Sequence, residues 1–426
     1  MSSEPTPREI SARWISRERM AWTVLIVAFA VFVVLAVTIP LAIGWYVQNA
    51  SVAQLANIQG TRGVTLVESA NPRLDVVGAV EVGRAEAVVE GGVLRVDPAS
   101  QASVVFFDRS TLTLFPNSTV TLDIMRKPRF ARSERPNQIV VTLHSGRVRA
   151  QIAPAGDPAI HFEIHTPQTL APQGGILLQP GSYAIETSNE MSHISVRMGT
   201  ALVNGQTGQQ TRLQANERAE IALGAAAVGP LPAKRNLVVN SDFQNPEEAA
   251  PISAGHLVAG WFALSDQGGD GGSVDGTVEV VTTGTSRALH LYREGSNNNH
   301  GETGVIQKVD KLVGDYLSLL LRLDVELVNQ SLSGGGEQSS EFPLIVRVDY
   351  TDGNGNPQHW THGFYYHNTA GYNIRDGEQI PQNARYSYEV DLKEVLSDPQ
   401  RINTIEIYAS GWDWDAYASG VELIAE

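Results

Sequence analysis

The 426-residue sequence contains no cysteine, which excludes disulfide staples, thiolate metal sites and thiol nucleophiles. Charge is scarce as well: Asp, Glu, Lys and Arg together make up 18% of the chain, against 42% apolar residues. No Gly-x-Ser-x-Gly, His-Glu-x-x-His or phosphate-binding loop occurs, so the usual hydrolase and nucleotide-binding chemistries have no local signature. The chain is expected to be a binding or signalling protein and not an enzyme.

One absence is long and continuous. From residue 21 to residue 47 there is no charged side chain, and a bilayer core needs about 20 apolar residues in helical form. Trp22 stands near one end, Trp45 and Tyr46 near the other. As a helix these positions lie roughly 35 Å apart, about the spacing of the two interfacial aromatic belts. Arg8, Arg13, Arg17 and Arg19 precede the run, and the next basic residue is Arg62. The positive-inside rule then places a tail of residues 1–20 in the cytoplasm, a transmembrane helix at 21–47 and the remaining mass outside the cell. The apolar run is about twice the length of a signal-peptide core, so an uncleaved anchor is expected.

What is plentiful beyond the span is turn chemistry: 39 glycines and 21 prolines in the whole chain. Short apolar alternations such as Thr111-Leu-Thr-Leu-Phe115 and His161-Phe-Glu-Ile-His165 recur between Asp-Arg-Ser, Pro-Asn and Asn-Gly turns. This is the pattern of all-β domains. A stretch rich in Ala, Gly and Pro at 226–235 has little to bury and is taken as a linker between a β domain at 59–225 and a second at 236–426. The loops Gly268-Gly-Asp-Gly-Gly272 and Asp352-Gly-Asn-Gly-Asn356 punctuate the second, and a short helical turn is expected near 392–396. The two domains differ in charge. Residues 51–234 carry 16 basic and 15 acidic side chains, whereas residues 235–426 carry 11 basic and 28 acidic. So acidic a module repels nucleic acid and anionic polymers.

Motifs in both domains resemble known families. The run Ala102-Ser-Val-Val-Phe-Phe-Asp-Arg-Ser-Thr-Leu-Thr-Leu-Phe-Pro-Asn-Ser118, then Leu143-His-Ser-Gly-Arg-Val-Arg149, Phe162-Glu-Ile-His-Thr-Pro167 and Val196-Arg-Met-Gly-Thr-Ala-Leu-Val203, resembles the FecR family of periplasmic sensor domains. The resemblance implies an antiparallel β domain that binds a partner or serves as a stalk, or else relays a signal to a cytoplasmic protein. In this sequence Arg109 follows Asp108 where the family usually has glycine. The second domain opens with Asn236-Leu-Val-Val-Asn-Ser-Asp-Phe-Gln244 and Gly260-Trp261, and closes with Ile405-Glu-Ile-Tyr-Ala-Ser-Gly-Trp-Asp413 and Gly420-Val-Glu-Leu-Ile424. It is similar to galactose-binding-like jelly rolls, the β-sandwich fold of many carbohydrate-binding modules. That likeness implies a neutral extracellular glycan or a surface protein as partner. It also implies a structural calcium near the first strand, at Asp242 and Glu422; the residues themselves call for no cofactor.

Candidate sites follow from side-chain chemistry. Aromatic rings stack on the C–H faces of sugars while polar groups bind the hydroxyls, so Trp360, Tyr366, Tyr372, Trp412 and Trp414 are the expected ligand-binding residues. Trp412 and Trp414 are expected on one strand face, sharing one fate, core or surface. His161, Glu163 and His165 alternate onto one strand face, which suits either a metal ion or plain solvation. Arg126, Lys127, Arg129, Arg132 and Arg135 surround Phe130 and two prolines; such a loop fits anionic lipid heads or an acidic partner, or a solvated hairpin tip. Asp352 begins a stretch that looks like a calcium loop, but the twelfth position is Gly363 where an EF-hand needs Glu, so it is taken as a hairpin turn.

Overall fold

A computed structural model describes residues 7–68, 77–154, 156, 158–169, 174–244, 256–269, 274–284 and 286–426, with side chains in the N-terminal helix from residue 19. Residues 1–6 of the tail and 270–272 of the Gly268–272 loop fall outside them. The chain divides into two compact units, Met1–Leu231 and Pro232–Glu426.

The first unit begins with a single helix, Pro7–Asn49, which runs through Pro40. Its part Arg19–Asn49 contains an 18-residue stretch with a mean hydropathy of 3.0 that is not buried in the protein. At 31 residues it is long and apolar enough to cross a membrane. The helix starts well before the apolar run, so the tail continues the same rod from Pro7 onward.

Strands then close into a barrel. Its two sides share the long strand Asn137–Ile152, which pairs with Thr119–Pro128 and Ile160–His165 through its first half, and with Thr111–Leu114 and Gly181–Thr187 through its second. Period-two alternation builds the core: Leu112, Leu114, Val120, Leu122, Ile139, Val141, Phe162 and Ile164 are all buried. The register of Thr119–Pro128 on Asn137–Ile152 slips between Val140 and Val141 and again between Leu143 and Ser145. Val140 faces Ile124 and Val141 faces Leu122, so Asp123 is an extra residue in its strand, which lets Leu122 and Met125 both point inward. Among the described pairings of this unit's strands, that of Asn137–Ile152 with Ile160–His165 is the parallel one. Within the expected linker, Val228–Pro232 forms a strand; the Cα of its Gly229 lies against Arg218 and Ala219, too close for a side chain to fit easily.

The second unit is a sandwich of two sheets. One has the order Thr277–Thr283, Ser286–Arg293, Trp414–Ala425, Leu319–Gln330, Tyr386–Asp391, with Arg235–Asn236 also on Trp414–Ala425. The other has the order His256–Val258, Trp261–Ser265, Gly301–Leu312, Pro399–Gly411, Leu344–Asp352, Pro357–Tyr365, Gly377–Gln379. Between them lies a core including Leu289, Val305, Leu321, Val346, Ile405 and Leu423, the jelly-roll type of packing. The Asp352 stretch is the hairpin between Leu344–Asp352 and Pro357–Tyr365: Asp352 Oδ1 accepts from the backbone N–H groups of Asn354 (2.8 Å) and Asn356 (2.9 Å). The short helix is Leu392–Val395, capped by Asp391, whose Oδ1 accepts from Lys393 N at 2.9 Å.

A candidate ligand cleft on the second sandwich

The outward face of the seven-stranded sheet follows from its register. Ile405 and Ile407 are buried, so Glu406 and Tyr408 must face out. Across the ladder, Gly304 lies opposite Tyr408 and Ile306 opposite Glu406 on one side. On the other, Ile345 faces Tyr408, Arg347 faces Glu406 and Asp349 faces Thr404. Leu264 lies beyond Gly304. A depression of about 280 Å³ is lined by Leu264, Asp266, Glu302, Gly304, Arg347, Glu406 and Tyr408, among others.

Arg347, Glu302 and Asp266 are each held by a neighbour. Arg347 Nε donates to Asp349 Oδ1 at 2.9 Å and stands 3.9 Å from Glu406 Oε2. The other oxygen of Asp349 accepts from Thr404 Oγ1 at 3.1 Å. Ser410 Oγ donates to Glu302 Oε1 at 3.1 Å, and the His300 ring is 3.1 Å from the same hydroxyl. Asp266 Oδ2 accepts from Glu302 N at 2.7 Å. Gly304 keeps the floor open: a Cβ there would lie 2.3 Å from Ile407 O and 2.4 Å from Tyr408 Cβ.

Burial sets the protonation states. It pushes the Tyr408 phenol up to about 12, helped by the charge of Glu302, so the hydroxyl remains a donor at any physiological pH. The Glu406 carboxyl is raised, first by burial; Arg347 opposes this, while Asp349 and Glu302 reinforce it. The cleft therefore offers a ring, a guanidinium, a hydroxyl donor and several carboxylates on one open face.

The five expected ring residues are not gathered there. Trp414 is 1% exposed and sits in the core, with the Arg293 guanidinium 5.2 Å from its ring centre. Trp412 is half-buried. The expected shared face fails because the chain crosses from one sheet to the other between Gly411 and Trp414. Trp412 follows Ser410, at the end of the cleft face. Trp360 faces inward, half-buried, stacked on His362 at 5.9 Å, with Tyr388 stacked on the same imidazole at 4.6 Å. Tyr366 exchanges two hydrogen bonds with Gln330: its N–H donates to Gln330 Oε1 (2.8 Å) and its hydroxyl accepts from Gln330 N (3.2 Å). Tyr372 is the most open of the five, 38% exposed, in a loop closed by Asn368. None of Trp360, Tyr366 and Tyr372 lines the depression.

Among the described residues no group of three or more His, Asp or Glu is arranged to hold a metal. Asp242 is exposed and accepts from Gln244 N at 3.3 Å, whereas Glu422 lies across its ladder from Arg322. In the first unit Glu163 bridges His161 (3.0 Å) and His165 (3.5 Å). Its carboxyl is held low, chiefly by the hydrogen bond from His161. The carboxylate faces the two rings through their Nε2 atoms, while His165 Nδ1 is buried without a hydrogen-bond partner.

The first unit carries the family signal. Residues 92–202 match the FecR protein family. No curated protein matches the chain by sequence. Among solved structures, a candidate anti-sigma factor from Parabacteroides distasonis is 18% identical at a TM-score of 0.25; the match covers 33% of this chain and 60% of that protein's length. A family 11 carbohydrate-binding module from Clostridium thermocellum, solved with a β-1,3-1,4-mixed-linked tetrasaccharide, is 13% identical at a TM-score of 0.26, over 45% of this chain and 94% of that one. A family 61 module solved with β-1,4-galactotriose is 12% identical at 0.25, over 45% and 99%. Likenesses this distant add nothing to the geometry above. The Arg109 departure from the FecR pattern has a structural counterpart, because Arg109 adopts a φ of 74°, a left-handed conformation that glycine takes without strain.

Proposed function

We propose that the chain is a membrane-anchored extracytoplasmic binding protein whose second sandwich takes a short stretch of neutral glycan, without catalysis, in the cleft built on Glu406 and Tyr408. The observation that carries this is the single open face on which Tyr408, Glu406, Arg347 and Glu302 converge. Sugars present alternating C–H patches and hydroxyls, and a ring flanked by fixed donors and acceptors answers both. The acidic surroundings favour an uncharged polymer over a phosphorylated or sulfated one. Trp412, just past the end of this face, and the exposed ring of Tyr372 supply the outer contacts for a longer chain. The four arginines before the span orient the helix with its N-terminus in the cytoplasm. Single-site sugar binding is weak, and many copies anchored in one membrane add avidity. A glycan array probed with the full chain in detergent tests the reading; binding confined to neutral oligosaccharides supports it, and capture of a surface protein with no glycan bound contradicts it.

A second reading rests on the FecR match at 92–202. The first unit then receives a periplasmic partner and passes a signal through the helix to a cytoplasmic regulator. Removing residues 2–12 separates the two. A lost transcriptional response assigns signalling, and an unchanged response assigns a stalk.

A further inference from the structure

The five basic residues singled out in the sequence lie in one place, against the outer end of the apolar helix. The loop after strand Thr119–Pro128 folds onto the last turn of helix Pro7–Asn49. Ser133 Oγ donates to Gln48 O (2.8 Å), Glu134 N donates to Gln48 Oε1 (3.2 Å), and Arg135 donates to the Asn49 side chain. Arg129 N donates to Ala50 O at 2.9 Å. The Phe130 ring meets Tyr46 edge-on at 5.9 Å, and the Arg129 guanidinium is 3.4 Å from the Tyr46 hydroxyl. Strand Ser51–Ala53 pairs with residues 126–128 and ties the helix exit to the same hairpin.

This arrangement brings the loop near the membrane surface. Tyr46 is the penultimate residue of the uncharged run, at the level where interfacial aromatics meet lipid headgroups. A loop bonded to residues 46–50 of a spanning helix stands at that surface. Its charges are unequally occupied. Arg126 pairs with Glu90 at 2.9 Å and Arg135 bonds Asn49. Lys127, Arg129 and Arg132 are exposed and have no carboxylate partner among the described residues.

We propose that Lys127, Arg129 and Arg132 form a headgroup clamp that binds anionic phospholipid and seats the first unit on the membrane surface. Basic residues close to a negatively charged surface are attracted over about one Debye length, roughly 8–10 Å in physiological salt, and the loop's attachment to the helix exit keeps them within it. An acidic protein would also meet these charges, but the attachment presents them to lipid in every copy of the anchored chain. The proposal rests on the membrane-anchor part of the reading above and not on the glycan cleft.

The test uses the full chain in nanodiscs of phosphatidylcholine, or of phosphatidylcholine with 30% phosphatidylglycerol. Since the chain lacks cysteine, Ala131→Cys carries one fluorophore, which is quenched by a headgroup-labelled nitroxide lipid. At least twofold stronger quenching is expected with phosphatidylglycerol, falling to the phosphatidylcholine level in 0.5 M salt and in K127S/R129S/R132S. The salt arm needs no loop variant, so the test survives poor folding of the triple mutant. Equal quenching in both lipids, or a difference that persists in salt and in the triple variant, overturns the clamp alone. So does an acidic protein crosslinked to position 131 in native membranes together with lipid-independent quenching. A chain that does not enter nanodiscs overturns the anchor and the clamp together.

Discussion

The Arg293 guanidinium lies 5.2 Å from the centre of the Trp414 ring, and both side chains are about 1% exposed. From that position Arg293 donates to the carbonyls of Gly411 (2.9 Å), Trp412 (3.1 Å), Asn299 (3.1 Å) and Val274 (2.9 Å). The chain changes sheets between Gly411 and Trp414, where backbone carbonyls leave the ladder and need other donors. One buried cation supplies them, with the indole face beneath it.

Arg293→Met is therefore expected to destabilise the second sandwich by about 3 kcal/mol, since it strands several buried acceptors at once. Denaturant unfolding of the full chain, followed by tryptophan fluorescence, measures it. An effect within a few tenths of a kcal/mol would show that water replaces the guanidinium at no cost.

Arg109 predicts a change of the opposite sign. Its φ of 74° is strained for a side chain bearing a Cβ, by about 1–2 kcal/mol. Glycine relieves this but loses about 0.5–1 kcal/mol in backbone entropy. Arg109→Gly should thus stabilise the first unit by roughly 0.5–1 kcal/mol, with the turn kept by the hydrogen bond from Ser110 N to Asp108 Oδ1. A lowered denaturation midpoint would mean that the Arg109 side chain makes compensating contacts.

Glu406 gives a pH dependence. Its carboxyl is raised in the folded protein, chiefly by burial, so between the unfolded and folded values the native state binds the extra proton. The group's contribution to stability is then fully present below the unfolded value and is lost as pH rises through the folded one. Asp310 and Asp324 are held low, Asp310 by Arg401 and Asp324 by Arg385 and Ser387, against the burial that would raise them, and they act in the opposite direction. Comparison of wild type with Glu406→Gln isolates the contribution of this one carboxyl. Wild type should lose stability relative to the glutamine variant between pH 4 and pH 7, and denaturation midpoints at both values check it. A constant difference would mean that Glu406 titrates normally.

Gly304 tests the floor of the cleft. A methyl group there meets Ile407 O and Tyr408 Cβ well inside contact distance. Gly304→Ala is expected to cost about 1–3 kcal/mol through overpacking and to displace Tyr408. Wild-type stability for this variant would show that the sheet yields without strain.

The sequence made some of this architecture legible and hid the site. Alternation in Thr111–Leu114, the Asp352 turn and the short helical turn near 392–396 are local features, and local chemistry exposes them. The uncharged run before the β domains is equally direct. The cleft depends on pairings such as Glu302 with Ser410 and Gly304 with Tyr408, which join residues over a hundred positions apart. Sequence alternation did hold half the signal, because buried Ile405 and Ile407 turn Glu406 and Tyr408 outward. Selecting rings by abundance instead of by face drew in Trp414 and Trp360, which point into the sandwich. Nothing local announced that Trp412 and Trp414 stand on either side of a change of sheet.

The most direct test of the glycan reading is calorimetric titration of the full chain with the neutral oligosaccharide that scores highest on the array, comparing wild type, Tyr408→Ala, Arg347→Ala and Trp360→Ala. Kd is expected to rise about tenfold or more for the two cleft variants, each losing a ring or charged contact worth roughly 1.5–3 kcal/mol, and to stay within about twofold for Trp360→Ala. Unchanged affinity in Tyr408→Ala and Arg347→Ala, or loss confined to Trp360→Ala, would contradict it.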